Sequence, residues 1–196
     1  MMTALHEIDL LLLKTINGWN TPWADVLMWH ISGTLLWIPL YAFFIYLVVH
    51  TFKKHSLYVL LAAALLVTST DQTTNLIKHG KGRLRPSHRQ ELSQELHFVN
   101  EYRGGKYSFP SGHAANTMGV AVFLVLLLGA HHSLMRWLPI AWSLVVGFSR
   151  IYLGVHFPTD VLVGFLLGAL WGWVWYRITM YILWRLNKGK TEAQYG

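Results

Sequence analysis

Three polar residues around position 155 have the types and the spacing that suit chemistry on a phosphoryl group. Arg150 is followed after five residues by His156, and His156 after three residues by Asp160. An imidazole held at one ring nitrogen by a carboxylate presents the other nitrogen as a nucleophile or base. A nearby guanidinium binds an oxyanion through its planar donors. We therefore interpret His156 as a candidate nucleophile, Asp160 as its orienting carboxylate and Arg150 as an anion-binding group.

A second motif, Pro110-Ser111-Gly112-His113, directly precedes an apolar run. A helix that begins there directs free backbone N–H groups outward, and its dipole favours an anion. Gly112 permits close approach of phosphate oxygens, and Ser111 adds a hydroxyl donor. Taken alone, this motif is more typical of an ordinary serine N-cap followed by an interfacial histidine. Its significance depends on the motif that contains His156.

A third motif is a glycine-rich basic stretch in which Lys78 is followed after six residues by Arg85 and Pro86. Arginine offers a planar fork to a phosphate, and lysine offers a point charge. We interpret Lys78 and Arg85 as phosphate ligands. We interpret the other basic residues of this region as solvated or as facing lipid headgroups; they are Lys81, Arg83, Arg89, Arg103 and Lys106.

The composition indicates a protein of the bilayer, because 54% of the 196 residues are hydrophobic and only 13% are charged. A helix needs roughly 20 apolar residues to cross the hydrocarbon layer. The sequence predicts an all-α membrane bundle with five spans and an interfacial helix over residues 4–16, with a sixth span in the N-terminal segment as the alternative. The predicted spans cover residues 27–50, 56–77, 112–130, 137–154 and 160–184.

The predicted organisation is a single domain over residues 1–196, with a catalytic-face loop at 78–110 and a flexible tail at 187–196. Seven of the sixteen Lys and Arg residues lie in that loop. Such a patch suits anionic lipids, a phosphate substrate or nucleic acid. Because it lies between membrane spans, we expect a phosphorylated lipid as the partner and no nucleic acid.

The parity of the five spans places the three motifs on one face of the membrane. Short connections on the opposite face carry basic residues, as expected for the cytoplasmic side; they include Lys53, Lys54 and Arg136. We therefore expect the site to face away from the cytoplasm, towards the periplasm or the cell exterior. Gly164, Gly168 and Gly172 form a small-residue ridge, which we expect to pack within the chain rather than form a dimer seam. The sequence leaves the oligomeric state open.

Taken together, the motifs resemble the signature of the type 2 phosphatidic acid phosphatase (PAP2) superfamily, which includes bacterial acid phosphatases and vanadium haloperoxidases. The resemblance extends through the helix pattern over nearly the whole chain. Eleven signature positions match: Lys78, Arg85, Pro86, Pro110, Ser111, Gly112, His113, Ser149, Arg150, His156 and Asp160.

The resemblance implies a phosphatase that uses no metal and no cofactor. His156 would form a phosphohistidine, and Asp160 would orient it. His113 would protonate the leaving group and then accept a proton from the hydrolytic water. The phosphoryl oxygens would be bound by Lys78, Arg85, Ser111, Gly112 and Arg150.

Several substrates are compatible with this pattern. The short chain and the basic loop most resemble bacterial members that act on undecaprenyl diphosphate or phosphatidylglycerol phosphate. This resemblance implies an integral protein of the bacterial inner membrane. A lipid A 1-phosphatase and a phosphatidic acid phosphatase are the alternatives within the class. A haloperoxidase is disfavoured because those relatives are larger and soluble. A non-catalytic lipid-binding protein is disfavoured because His113, His156 and Asp160 are all present.

Overall fold

Eight α-helices cover most of residues 2–195, the part of the chain whose backbone the computed structural model describes; side chains are described for residues 4–188. The predicted all-α class is confirmed: these residues form no strand, and Leu84 and Tyr107 form only an isolated bridge. The helices are α1 (Met2–Asn17), α2 (Pro22–Ser32), α3 (Ile38–Phe52), α4 (Ser56–Lys81), α5 (Gln90–Ser93), α6 (Gly112–Leu128), α7 (Leu138–Tyr152) and α8 (Pro158–Tyr195).

Helix α6 is the centre of the bundle and packs against α4, α7 and α8. From Met118 onward its sequence is apolar on all sides, which is typical of a helix surrounded by other helices. Phe123 and Leu128 are fully buried there, together with Leu66 of α4. This core fixes the N-terminus of α6, and with it the Ser111–His113 motif.

The glycine ridge of α8 packs against α6, as predicted. A Cβ atom built on Gly168 would lie 2.9 Å from the carbonyl carbon of Ala115, and one built on Gly164 would lie 2.6 Å from the backbone oxygen of Ser111. Such distances leave no room for a side chain. The backbones of α6 and α8 are therefore in direct contact, as small residues allow in membrane bundles.

The predicted continuous span over residues 27–50 is wrong, because the helix breaks at Gly33. Helix α2 ends at Ser32, and the N–H of Gly33 donates to the backbone oxygens of Trp29 and His30 at 3.1 Å. A 3₁₀ turn over Leu35–Trp37 follows before α3 begins. Pro39 is the second residue of α3, and proline is favoured in the first helical turn over an interior position. The break bends the chain past the end of α7 that carries Arg150.

Among the described residues, two helical stretches are long and apolar enough to cross a membrane: Leu35–Lys81, which contains α3 and α4, and Pro158–Lys188. Two shorter apolar helices, Gly112–Leu128 and Leu138–Tyr152, lie between them. The helices correspond to the predicted spans, and the number that cross the bilayer stays a prediction. The predicted flexible tail at 187–196 lies mostly outside the residues whose side chains are described.

The long loop between α4 and α6 is folded onto the N-terminal helices. The side-chain amide of Asn17 donates to the backbone oxygens of His97 at 2.8 Å and Tyr152 at 2.7 Å. Its amide oxygen accepts from the N–H of His97 at 2.8 Å. Asp25 of α2 accepts from the His97 ring at 2.8 Å and from the Tyr152 hydroxyl at 2.7 Å. The loop therefore forms a fixed wall beside the ends of α6 and α7.

Candidate active site

The three motifs meet at one end of the bundle, where α4 and α7 end and α6 and α8 begin. The N–H of Ser111 donates to the backbone oxygen of Asp160 at 2.9 Å. A Cβ atom built on Gly112 would lie 3.4 Å from Lys78 Nζ. His113 and Arg150 line the same cavity. The structure thus brings together the residues that the spacing of the motifs singled out.

The link between α7 and α8 holds His156 in place. Gly154 has a left-handed φ of +68°, which L side chains rarely adopt, and it ends the turn after α7. Pro158 then begins α8. His156 lies on this short link with only 1% of its surface exposed.

Asp160 lies beside His156 in the first turn of α8, with 3.6 Å between Asp160 Oδ2 and His156 Nδ1. This separation is longer than a hydrogen bond. Oδ2 instead accepts from the N–H of Phe157 at 2.8 Å, and Oδ1 accepts from Arg83 at 2.7 Å. The expected direct hydrogen bond is therefore absent in this geometry. Catalytic hydrogen bonds are often long in unliganded sites and tighten when substrate binds.

Arg150 is held from two sides at the end of α7. One guanidinium nitrogen donates to the Ser32 hydroxyl of α2, and the other donates to the Tyr102 hydroxyl of the loop at 3.2 Å. Only 2% of Arg150 is exposed. These contacts fix the plane of the guanidinium, and its Nε atom remains without a hydrogen bond.

Arg85 enters the site from the loop. Its Nε donates to the backbone oxygen of Tyr107 at 3.2 Å, and its backbone N–H donates to the backbone oxygen of Lys106 at 3.1 Å. Burial, reinforced by the charge of Arg150, lowers the pKa of Arg85 to about 10. The group therefore stays cationic at neutral pH, although only 8% of the residue is exposed.

Several buried polar atoms of this cluster make no hydrogen bond of normal geometry. They are Arg85 Nη1, Arg150 Nε and both ring nitrogens of His156. Buried polar groups in proteins normally have partners, so such a set indicates the position of a ligand. Two buried cations and the nearby ammonium of Lys78 make that ligand an anion.

Burial, together with the same cations, keeps His156 uncharged. Burial, followed by the charges of Arg85, Arg150 and Lys78, lowers the pKa of His156 well below its ordinary value. A neutral imidazole has a free lone pair, which a nucleophile requires. The site can therefore bind an anion and attack it within one pocket.

The interpretation of Arg83 as a solvated charge is wrong. Its guanidinium donates to Asp160 at 2.7 Å and to Asp9 of α1 at 2.6 Å. It also lies over the ring of Phe157, with its Cζ 4.1 Å from the centroid. Arg83 therefore belongs to the wall behind His156. Within a run of basic residues, nothing in the sequence distinguished it from its neighbours.

A cavity of about 460 Å³ opens beside His113 and Arg150. Its wall is formed by the break between α2 and α3 and by the loop, with polar and aromatic side chains that include Trp29, His30, Ser32, Thr34 and Tyr102. The volume lies within the ~300–1,000 Å³ of typical small-molecule sites. The position beside His113 suits the part of a substrate from which phosphate is removed.

Sequence analysis missed the residues that support Arg150 and line this cavity. Ser32 and Tyr102 lie 118 and 48 residues from Arg150 in the chain. The only local signal was Gly33-Thr34, which can interrupt a helix in an otherwise apolar run.

Comparisons with known proteins agree with this geometry. The sequence profile of the PAP2 superfamily matches residues 53–184. A lipid A 4′-phosphatase of Bacteroides thetaiotaomicron is 36% identical over 193 residues, 95% of this chain and 84% of the relative. A lipid A 4′-phosphatase of Porphyromonas gingivalis is 33% identical over 92% of this chain and 76% of its own length.

A solved structure shows the same architecture. The crystal structure of a transmembrane PAP2-type phosphatidylglycerolphosphate phosphatase from Bacillus subtilis superposes with a TM-score of 0.69 and 26% identity, covering 91% of this chain and 88% of that one. The family match, the relatives and the clustered signature residues lead to one conclusion. The chain belongs to the PAP2 superfamily and is a membrane lipid phosphate phosphatase.

Proposed function

We propose that the protein removes the 4′-phosphate from a lipid A-type glycolipid. The observation that carries this proposal is that the similarity to two lipid A 4′-phosphatases extends over 92–95% of the chain. The signature residues lie between 78 and 160 and are common to phosphatases with different substrates. Because the match leaves at most about 8% of the chain uncovered, it also extends over α2 and α3, which build the cavity beside His113.

The chemistry of that cavity supports a saccharide headgroup. A sugar presents hydroxyl groups around its edge and apolar C–H surfaces on its faces. The cavity offers the rings of Trp29 and Tyr102, whose centroids are 5.5 Å apart in an edge-to-face arrangement. Ser32, Thr34 and His30 add hydrogen-bonding groups at the same wall.

An apolar groove next to this cavity supports a lipid substrate. It has a volume of about 580 Å³ and lies between α3 and α7, where Trp37, Phe43, Leu138 and Val145 are among the lining residues. Leu36 lines both the groove and the headgroup cavity. An acyl chain in the groove would thus leave its headgroup beside His113.

The proposed reaction has two steps, each at phosphorus. Because Asp160 faces Nδ1, the lone pair on His156 Nε2 attacks and forms the N–P bond. The P–O bond to the sugar breaks, and the departing oxygen takes a proton from His113. Water then attacks phosphorus and gives a proton to His113, and the N–P bond breaks with return of its electron pair to His156.

Positive electrostatics supply most of the rate enhancement in this proposal. Arg85, Arg150 and Lys78 surround the position of the phosphoryl oxygens, and Ser111 and Gly112 begin α6 with backbone donors. Charge that builds on those oxygens in the transition state is stabilised by groups already in place. These cations occupy the role that a divalent metal fills in other phosphatases, so we propose a metal-independent and cofactor-independent reaction.

A substrate panel tests the assignment. We expect purified protein in detergent and EDTA to release phosphate fastest from lipid A phosphorylated at the 4′ position. Mass spectrometry of the product, compared with 1-phosphate and 4′-phosphate standards, identifies the bond that is broken. Phosphatidylglycerol phosphate, undecaprenyl diphosphate and phosphatidic acid complete the panel. Faster hydrolysis of any of these three, or a requirement for Mg²⁺, contradicts the proposal.

We further propose that the site faces the periplasm. The opposite end of the bundle carries Lys53 and Lys54 between α3 and α4, and Arg136 before α7. Short connections rich in basic residues favour the cytoplasm. A substrate exposed on the outer leaflet would then reach the cavity directly.

Single cysteines test this orientation, since the natural chain has none. Gln94, in the loop beside the site, and Lys54, at the opposite end, are both exposed. We expect a membrane-impermeant thiol reagent to label Gln94→Cys in spheroplasts and to label Lys54→Cys only after lysis. The reverse pattern places catalysis in the cytoplasm.

A further inference from the structure

Asp9 of α1 is a buried carboxylate at the back of the active site. Only 2% of the residue is exposed. It accepts hydrogen bonds from the N–H of Thr159 at 2.9 Å and the hydroxyl of Thr159 at 2.5 Å. Its Oδ2 also forms the 2.6 Å ion pair with Arg83. Every one of these contacts leads to the first turn of α8 or to the arginine that holds Asp160.

Arg83 joins two carboxylates with a single guanidinium. One terminal nitrogen binds Asp9 and the other binds Asp160. The carboxylate of Asp160 is in turn the acidic group beside His156 Nδ1. A continuous chain of charged groups therefore runs from the N-terminal helix to the nucleophile.

The arrangement has a consequence for the charge next to His156. An aspartate paired with one arginine forms a neutral unit, which does little to stabilise a cation. With Asp9 added, the three groups carry a net charge of minus one, shared across the cluster. The imidazole becomes cationic when it bonds to phosphorus, so this remaining negative charge favours the intermediate.

We propose that Asp9 is a positioning residue for the reaction. Through Arg83, it holds the Asp160 carboxylate beside His156 and preserves a net negative charge there. The inference rests on the proposed roles of His156 and Asp160. It assigns the N-terminal helix a part in catalysis that its amphipathic sequence did not indicate.

Helix α1 is attached to the rest of the protein by contacts other than those of Asp9. Leu13 of the same helix is fully buried in an apolar cluster with Phe157 and Val161. Lys14 forms a second ion pair, with Glu95 of the loop. Helix α1 therefore has independent attachments, and removal of the Asp9 charge acts chiefly on Arg83 and Thr159.

Asp9→Asn removes the charge and keeps the shape of the side chain. We expect kcat to fall about 10- to 100-fold, the loss known from metal sites when a group that orients a ligand is changed. KM and inhibition by inorganic phosphate should stay within about twofold, because Lys78, Arg85 and Arg150 are untouched. The measurement is phosphate release in detergent from the lipid that the unmodified protein hydrolyses fastest, and Asp9→Glu should restore part of kcat.

Three further variants separate the explanations. Glu95→Gln breaks another polar attachment of α1, the ion pair with Lys14, and should leave kcat unchanged. Arg83→Gln should lower kcat, and the double variant Asp9→Asn/Arg83→Gln should lose no more than Arg83→Gln alone, since Asp9 acts through that residue. If the losses of the two single variants multiply in the double variant, the inference about Asp9 is overturned while the proposed mechanism stands. The same holds if Asp9→Asn keeps its full kcat while His156→Ala is inactive. Normal turnover in His156→Ala overturns the proposed mechanism together with it.

Discussion

Replacement of His156 by alanine is expected to abolish phosphate release while leaving the protein folded. Among the described residues, its imidazole is the one that lies beside Asp160, and both of its buried ring nitrogens lack hydrogen bonds. In a hydrolase whose groups act as a unit, loss of the nucleophile costs about 10⁶-fold in kcat. The measurement is phosphate release with substrate well above KM.

Binding and stability provide the controls for this result. Lys78, Arg85 and Arg150 remain in His156→Ala, so inorganic phosphate should still protect the protein against thermal unfolding. His50→Ala, at an exposed histidine of α3 that stacks on Tyr46, should keep full activity. Turnover within tenfold of normal in His156→Ala would show that another residue attacks phosphorus.

Replacement of His113 by alanine is the second change with a large expected effect. His113 lines the headgroup cavity, where the oxygen of the departing sugar would lie. General acid catalysis contributes typically ~10²–10⁴-fold. We expect a loss of that size for a sugar phosphate, because an alkoxide leaves poorly without a proton.

A second substrate isolates this role. The 4-nitrophenolate group leaves readily without protonation, so 4-nitrophenyl phosphate should lose much less activity in His113→Ala. The ratio of the two losses, from kcat/KM values measured on one preparation, reports the proton that His113 supplies. Equal losses on both substrates would instead assign His113 to phosphate binding.

The meeting of the motifs could be predicted because it follows from two simple properties of the sequence. The apolar runs that became α4, α6, α7 and α8 are long enough to locate helices, and the parity of successive spans places their ends. The residue types of Lys78, Arg85, Arg150 and His156 then indicated an anion-binding site with a candidate nucleophile. Neither step needed knowledge of how side chains pack.

The supporting contacts could not be predicted, because they join segments that are far apart in the chain. Asp9 and Arg83 are 74 residues apart, and Asp9 and Thr159 are 150 apart. No periodicity or local motif specifies such pairs. The break at Gly33 was overlooked for a different reason, since the apolar composition on both sides favoured one uninterrupted span. Tertiary contacts to Arg150 set the path of the chain there.

The contact between the backbones of α6 and α8 also determines which parts of the enzyme can move. Interfaces made of side chains can slip, because rotamers change, whereas two touching main chains have no such adjustment. His113, the proposed proton donor, is the second residue of one of these helices, and His156, the proposed nucleophile, lies two residues before the start of the other. We therefore expect the distance between these two residues to stay fixed. We therefore expect any movement that admits a bulky lipid to occur in α3 and in the turn over Leu35–Trp37 that precedes it, while the reacting groups keep their separation.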